Sequence, residues 1–214
     1  MRTPGPVHAA LTALLVATLA LTISGCAGNK PSAGRCESVS TPLTDIPTRT
    51  DQEPKMRIPV PPGWERSTEI ETEQFRFSIR NKSLAADGFT PNAVVSLQKV
   101  AGDLGKPEQI LQAQQEQLAK KLDIKDVKSE STSVCGAPAL SSTYTTPELK
   151  LGKAGGKEIP TIPERRATTL GTVYRAGDSN YVATLTVQTI KPDNPTYMKD
   201  SGEILKGFQL LPPQ

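Results

Sequence analysis

Phe75, Phe77 and Ile79 alternate with Arg76, Ser78 and Arg80, the period-two pattern of a strand that buries one face. The same alternation returns near the end of the chain. Tyr181, Ala183, Leu185 and Val187 point one way there, and Val182, Thr184, Thr186 and Gln188 the other. Residues 93–100 read as a further strand, separated from the first by a polar loop or hairpin with Asp87-Gly88 and Pro91-Asn92. Residues 127–134 and 139–146 flank Cys135-Gly136-Ala137-Pro138, and residues 165–175 and 180–190 flank Ala176-Gly177-Asp178-Ser179. Strand-like runs around short turn-forming segments predict two hairpins. Met56-Arg57-Ile58 is a short strand closed by Pro59 to Trp64, where Pro61-Pro62-Gly63 forces a turn.

Two segments carry the helical period. Leu111, Leu118 and Leu122 share one face near residues 107–122, with Ile110 at its border. Pro107 suits the first helical position, Glu108 the positive end of the helix dipole, and Lys120 and Lys121 the negative end. This predicts an amphipathic helix with one core stripe and a glutamine-rich remainder. Asn194 caps a second helix opened by Pro195 and anchored by Tyr197, Ile204 and Phe208, with Gly207 as its stop. Strands, helix, antiparallel strands, helix is the order of an α+β domain, a sheet covered by helices. An all-β sandwich is the alternative, disfavoured by the two capped helices.

The beginning of the chain follows another pattern. From Ala9 to Ile23 nearly every residue is apolar, small or threonine, and Arg2 is the only permanent charge before Cys26. The run falls short of the roughly 20 residues that span a bilayer. A secretory signal is therefore the stronger reading and a transmembrane anchor the weaker. Ile23-Ser24-Gly25-Cys26 resembles the bacterial lipobox. That resemblance implies cleavage before Cys26 and a diacylglyceryl thioether on its sulfur; ordinary secretion with a free Cys26 is the alternative. The organisation read from the chain is thus a signal over 1–25, a lipidated tether rich in Pro, Ser and Thr over 26–54, and a folded domain over 55–214. The protein is expected outside the cytoplasm, anchored by lipid at the outer face of the cell membrane or released from it.

With Cys26 consumed, Cys36 and Cys135 remain. Thiols oxidise outside the cytoplasm, and two of them allow one connectivity. A bridge would close a loop that the chain-entropy model values at about 4–5 kcal/mol, and it would staple the tether to the domain. Two unpaired thiols are the other possibility.

Composition mainly excludes. The chain has 25 basic and 22 acidic side chains. Removing 1–25 takes away one positive charge and no negative one, so the balance stays near neutral. Neither nucleic acid nor a strongly anionic surface is implied as partner. The only histidine is His8, inside the signal. The processed protein has no imidazole, which excludes Ser-His-Asp and Cys-His catalysis and removes the commonest metal ligand. No cofactor is expected. A His-independent serine hydrolase is the least favoured function, since no G-x-S-x-G elbow occurs.

Four features are candidates for binding. Leu151 to Lys157 has the look of a phosphate loop, but its spacing is wrong and Glu158 stands where Ser or Thr would hold Mg²⁺. Residues 147–166 read as an insertion between strands carrying Lys150, Lys153, Lys157, Arg165 and Arg166. It would grip an anionic envelope polymer or a protein, or serve as a plain loop. Trp64, Tyr174 and Tyr181 are either a stacking platform for sugar or lipid or ordinary core. Glu69, Glu71 and Glu73 would share one face on a strand, as a Ca²⁺ site or, preferably, a solvated edge.

The lipobox and tether, the Arg57-Ile58-Pro59-x-Pro61-Pro62-Gly63-Trp64 entry, the helix near 107–122 and the terminal Asn194-Pro195-x-Tyr197 helix together resemble the LpqN/LpqT family of mycobacterial lipoproteins. The resemblance implies a PsbP-like α/β/α fold, a curved antiparallel sheet between helices. It also implies a place in the cell envelope, with links to trehalose and mycolate lipid export through protein contacts, or to host proteins. It brings no catalytic residues. The expected function is a non-catalytic, protein-binding accessory module, with a glycolipid carrier as the alternative.

Overall fold

The alternating segments form one seven-stranded antiparallel sheet. The computed structural model describes residues 35–101, 105–150, 153–154, 157–158, 161–176 and 179–213. All belong to the second of the chain's two units, Pro31–Gln214. The signal, the lipobox and Cys26 lie outside the described residues.

In chain order the elements are β1 (Leu43–Ile46), β2 (Lys55–Pro59), β3 (Glu65–Arg66), β4 (Phe75–Arg80), β5 (Asn92–Ala101), α1 (Pro107–Leu122), β6 (Lys125–Val134) and β7 (Ala137–Thr146). They continue with β8 (Lys153–Ala154), β9 (Lys157–Glu158), β10 (Arg165–Ala176), β11 (Ser179–Thr189), α2 (Pro195–Gly207) and β12 (Gln209–Leu211). The large sheet runs β3-β4-β5-β11-β10-β7-β6. Both expected hairpins are present. The first turns more tightly than its sequence suggests. Val134 pairs with Ala137, so the turn is Cys135-Gly136 alone, with φ of 50° and 82°. A two-residue hairpin turn of this kind requires positive φ at both positions, which glycine supplies without strain.

Register fixes what each face of the sheet carries. Leu185 lies between Val95 and Leu170, and with Phe77, Ile79 and Ala183 they form a buried cluster against Tyr197 and Ile204 of α2 and Phe208 just after it. On the opposite face Ile110 and Leu111 of α1 pack on Val173 and Val182. The architecture is α+β, helix on sheet on helix.

The folded body begins before residue 55, where the tether was expected to end. β1 and β12 flank β2 in a second, three-stranded sheet. Ile46 is buried, and Glu53 is buried against Arg76. Val39 and Pro59 pack so closely on Gly207 that a Cβ there would collide with both. Gly207 is therefore small for packing. It does not end α2 in a left-handed turn, because the following Phe208 is extended. Cys36 and Cys135 are bonded, S–S 2.04 Å, so the segment before β1 is fixed to the β6–β7 turn.

Two other local readings change. The acidic run lies in the loop between β3 and β4, not on a strand. Glu71 there accepts two hydrogen bonds from Arg66 at 3.0 Å, and Glu69 accepts one from Arg80 at 2.9 Å. The leucine stripe of α1 is only half used by the core: Ile110 and Leu111 are buried, Leu118 is half-buried and Leu122 is 42% exposed.

Candidate ligand-binding groove

The half-used stripe of α1 follows from the face beneath it. On that face β11 presents Val182, Thr184, Thr186 and Gln188, and only Val182 is apolar. α1 seats at the Val182 end. There Gly171 lies directly under Leu111, and a Cβ on Gly171 would come within 3.1 Å of the leucine Cδ2. Glycine lets the helix approach the strand. Farther along, the sheet turns to Ser96, Ser142, Thr169, Thr184 and Thr186, a polar surface that gives the leucines of the helix no apolar partner. The second half of α1 therefore overhangs the sheet and encloses a groove of ≈ 440 Å³, within the ~300–1,000 Å³ usual for small-molecule sites.

The groove is amphipathic. Leu118 and Leu122 form the helix wall and Phe75 the opposite lip, 40% exposed. The floor is hydroxyl and amide. Gln114, Gln117 and Lys121 stand along the helix edge, and Tyr144, Thr146, Arg165 and Gln188 close one end. Arg165 donates from Nε to Gln188 Oε1 at 2.7 Å, and Gln188 donates to Asn92 Oδ1 at 2.9 Å. Burial lowers the guanidinium's affinity for its proton, and neighbouring Tyr144 partly offsets this. Burial pushes the Tyr144 hydroxyl up to about 12, so it remains a neutral O–H at physiological pH. Among the described residues no group of His, Cys, Asp and Glu converges as metal ligands would.

The residues singled out in the sequence scatter over the fold. Trp64 and Tyr181 are 5% and 3% exposed in the cluster under α2, with half-buried Tyr174 packed against them. Trp64 Nε1 donates to Asp200 Oδ2 at 2.9 Å. All three are core on the face away from the groove, because Tyr174 and Tyr181 pair across the hairpin on the α2 side. They offer no stacking platform. The basic insertion is also divided. Leu149 bridges to Ile162, and β8 pairs with β9. Lys150 is exposed beside Glu148 at 3.7 Å. Lys153 and Lys157 sit on β8 and β9. Arg165 and Arg166 are successive on β10 and so point to opposite faces; Arg165 alone lines the groove. Sequence reasoning did not single out the groove's hydroxyl floor. Its trace was the polar face Thr184-Thr186-Gln188, written beside an apolar face that made the strand look fully explained.

No helix among the described residues is long and apolar enough to cross a membrane. No functionally curated protein matches the sequence. Among solved structures, LpqN of Mycobacterium tuberculosis, described as involved in cell envelope biogenesis, superposes with a TM-score of 0.58 at 18% identity. The match covers 80% of this chain and 91% of that one. The Saccharomyces cerevisiae Ran-binding protein Mog1p matches at 16% identity over 81% of this chain and 97% of its own, with a TM-score of 0.42. The family model described as probable lipoprotein LpqN matches residues 38–211, and the chain accordingly belongs to the LpqN lipoprotein family.

Proposed function

We propose that the protein is a non-catalytic lipoprotein of the cell envelope that acts as an accessory binding module, with the groove beside α1 as its working surface. In this reading residues 1–25 are removed and Cys26 carries the diacylglyceryl anchor. The domain then faces outward, where it meets envelope machinery or host proteins. The family and the description of the M. tuberculosis relative support a role in envelope biogenesis. The observation that carries the reading is the groove: a helix leaves its second half unpacked above a sheet face of hydroxyls and amides. The missing imidazole supports binding rather than catalysis.

The test is affinity capture of the acylated protein from detergent-solubilised envelopes, run beside Thr184→Phe, which fills the groove from its floor. A reproducible partner that disappears with Thr184→Phe supports the proposal. A partner retained by that variant contradicts it. The groove's leucine wall and hydroxyl floor also favour a second reading, a glycolipid carrier with its sugar on the sheet and its acyl chain along Leu118 and Leu122. Native mass spectrometry showing only unliganded protein in excess glycolipid would remove that reading.

A further inference from the structure

The groove is selective in charge. Its described lining includes Lys121 and Arg165 and no aspartate or glutamate. Four arginines elsewhere are paired with carboxylates: Arg57 with Asp45, Arg66 with Glu71, Arg76 with Glu53, and Arg80 with Glu65 and Glu69; Arg49 and Arg175 donate to backbone carbonyls instead. Arg165 is half-buried, and among the described residues no carboxylate pairs with it. Its Nε is held by Gln188, while its Nη1 is buried without an acceptor. A guanidinium cannot shed its charge to escape such a site. A half-buried guanidinium with an open Nη1 is a charge-assisted donor to any oxyanion that enters the groove. The Asn92–Gln188 pair fixes the orientation of that cation, as a receptor for a planar or tetrahedral oxyanion requires. Ser96, Ser142 and Thr169 already bond within the sheet, and the polar groups left to a ligand are Thr184, Thr186, Gln98, Gln114 and Gln117. That density of donors and acceptors matches a polyhydroxylated molecule better than an acidic peptide, whose backbone would need strand or helix partners.

We propose that the groove recognises a sugar or polyol through an anionic oxygen group, a phosphate or carboxylate, seated on Arg165. The inference rests on the reading of the groove as the working surface and specifies the ligand class it takes. A charge-assisted hydrogen bond contributes about 1.5–3 kcal/mol, so the anionic form of a sugar should bind roughly ten- to a hundredfold tighter than its neutral parent.

The experiment is calorimetric titration of the acylated full chain in phosphatidylcholine nanodiscs with glucose 6-phosphate, glucose and a short polyglutamate peptide. The variants are Arg165→Lys, Arg165→Gln and Lys150→Gln, with thermal melts to confirm that each folds. The expected result is at least about a tenfold preference for glucose 6-phosphate over glucose. The preference should be reduced in Arg165→Lys, lost in Arg165→Gln and kept in Lys150→Gln, which removes an equal charge outside the groove. Adding phosphatidylinositol 4-phosphate to the nanodiscs separates two sources of the same chemistry. Arg165-dependent competition identifies a lipid headgroup, its absence a soluble sugar phosphate, and either agrees with the proposal. Equal affinity for glucose and glucose 6-phosphate would overturn the anion site, as would preferential binding of polyglutamate or a preference indifferent to Arg165. The envelope capture with Thr184→Phe is read independently, so its success beside a failed titration would discard the charge selectivity and leave the proposed function in place.

Discussion

Glu53 and Arg76 meet with side chains 7% and 9% exposed, joined at 2.5 and 3.0 Å, and the Arg49 backbone N–H donates to the same carboxylate at 2.8 Å. Burial by itself would raise the Glu53 pKa. The hydrogen bonds from Arg76 and Arg49, with their charges, outweigh it and hold the carboxyl below its ordinary value of 4.5. A carboxylate depressed in the folded state stabilises the fold fully above its unfolded pKa and loses that contribution as pH falls through the folded one. Wild-type melting temperature should therefore drop on acidification below the ordinary carboxylate range more steeply than that of Glu53→Gln, as calorimetry would record. Arg76→Ala leaves the buried carboxylate alone and should cost about 3–5 kcal/mol in urea unfolding at neutral pH. Gly207→Ala makes a steric test of the N-terminal packing. The new methyl would meet Pro59 and Val39, and overpacking of this kind costs about 1–3 kcal/mol. An unchanged unfolding midpoint would mean that Val39 does not rest on α2.

At the scale of elements, α1 divides into a buried half and an overhanging half. Leu111→Ala should cost about 2–5 kcal/mol, as truncation in a core does. Leu122→Ala should stay within about 0.5 kcal/mol, and equal losses at the two positions would contradict the groove. How much of this could be read in the chain depended on whether an element's neighbours were written into it. β4 and β11 were legible because alternation states both faces of a strand, and β5 and β10 as strand-like runs beside turn-forming segments. α2 was legible from its Asn194 cap and three anchors. β1 and β12, at 4 and 3 residues, are too short for a period and lie among turn-forming residues, so the tether seemed to run to residue 54. The stripe of α1 was visible, but what lay under it was not. Leu118 and Leu122 look like core until register places Thr184 and Thr186 opposite them. Arg165 and Arg166 looked like one basic cluster because adjacency in sequence hides opposite faces on a strand. The isolation of Arg165 from the described carboxylates depends on pairing across four strands, β7, β10, β11 and β5, which no local pattern encodes.

At the scale of the molecule, the disulfide connects the segment that leads to the proposed anchor with the far edge of the sheet. The bridged residues are 99 apart in sequence. Cys36→Ser or Cys135→Ser should lower stability by about 2–5 kcal/mol, measured by urea unfolding under oxidising conditions. Identical unfolding of the reduced and oxidised wild-type protein would show that the bridge does not restrain the chain. The proposed function makes the protein a tethered receptor that binds through the groove on the face opposite α2, and the account stands or falls on whether that face is used. The direct measurement is photo-crosslinking in intact cells, with a benzophenone amino acid placed at Gln98 on the groove floor or at Met198, 58% exposed on α2. The account predicts a discrete adduct from position 98 and none from position 198. A discrete adduct from position 198, with position 98 silent, would contradict it.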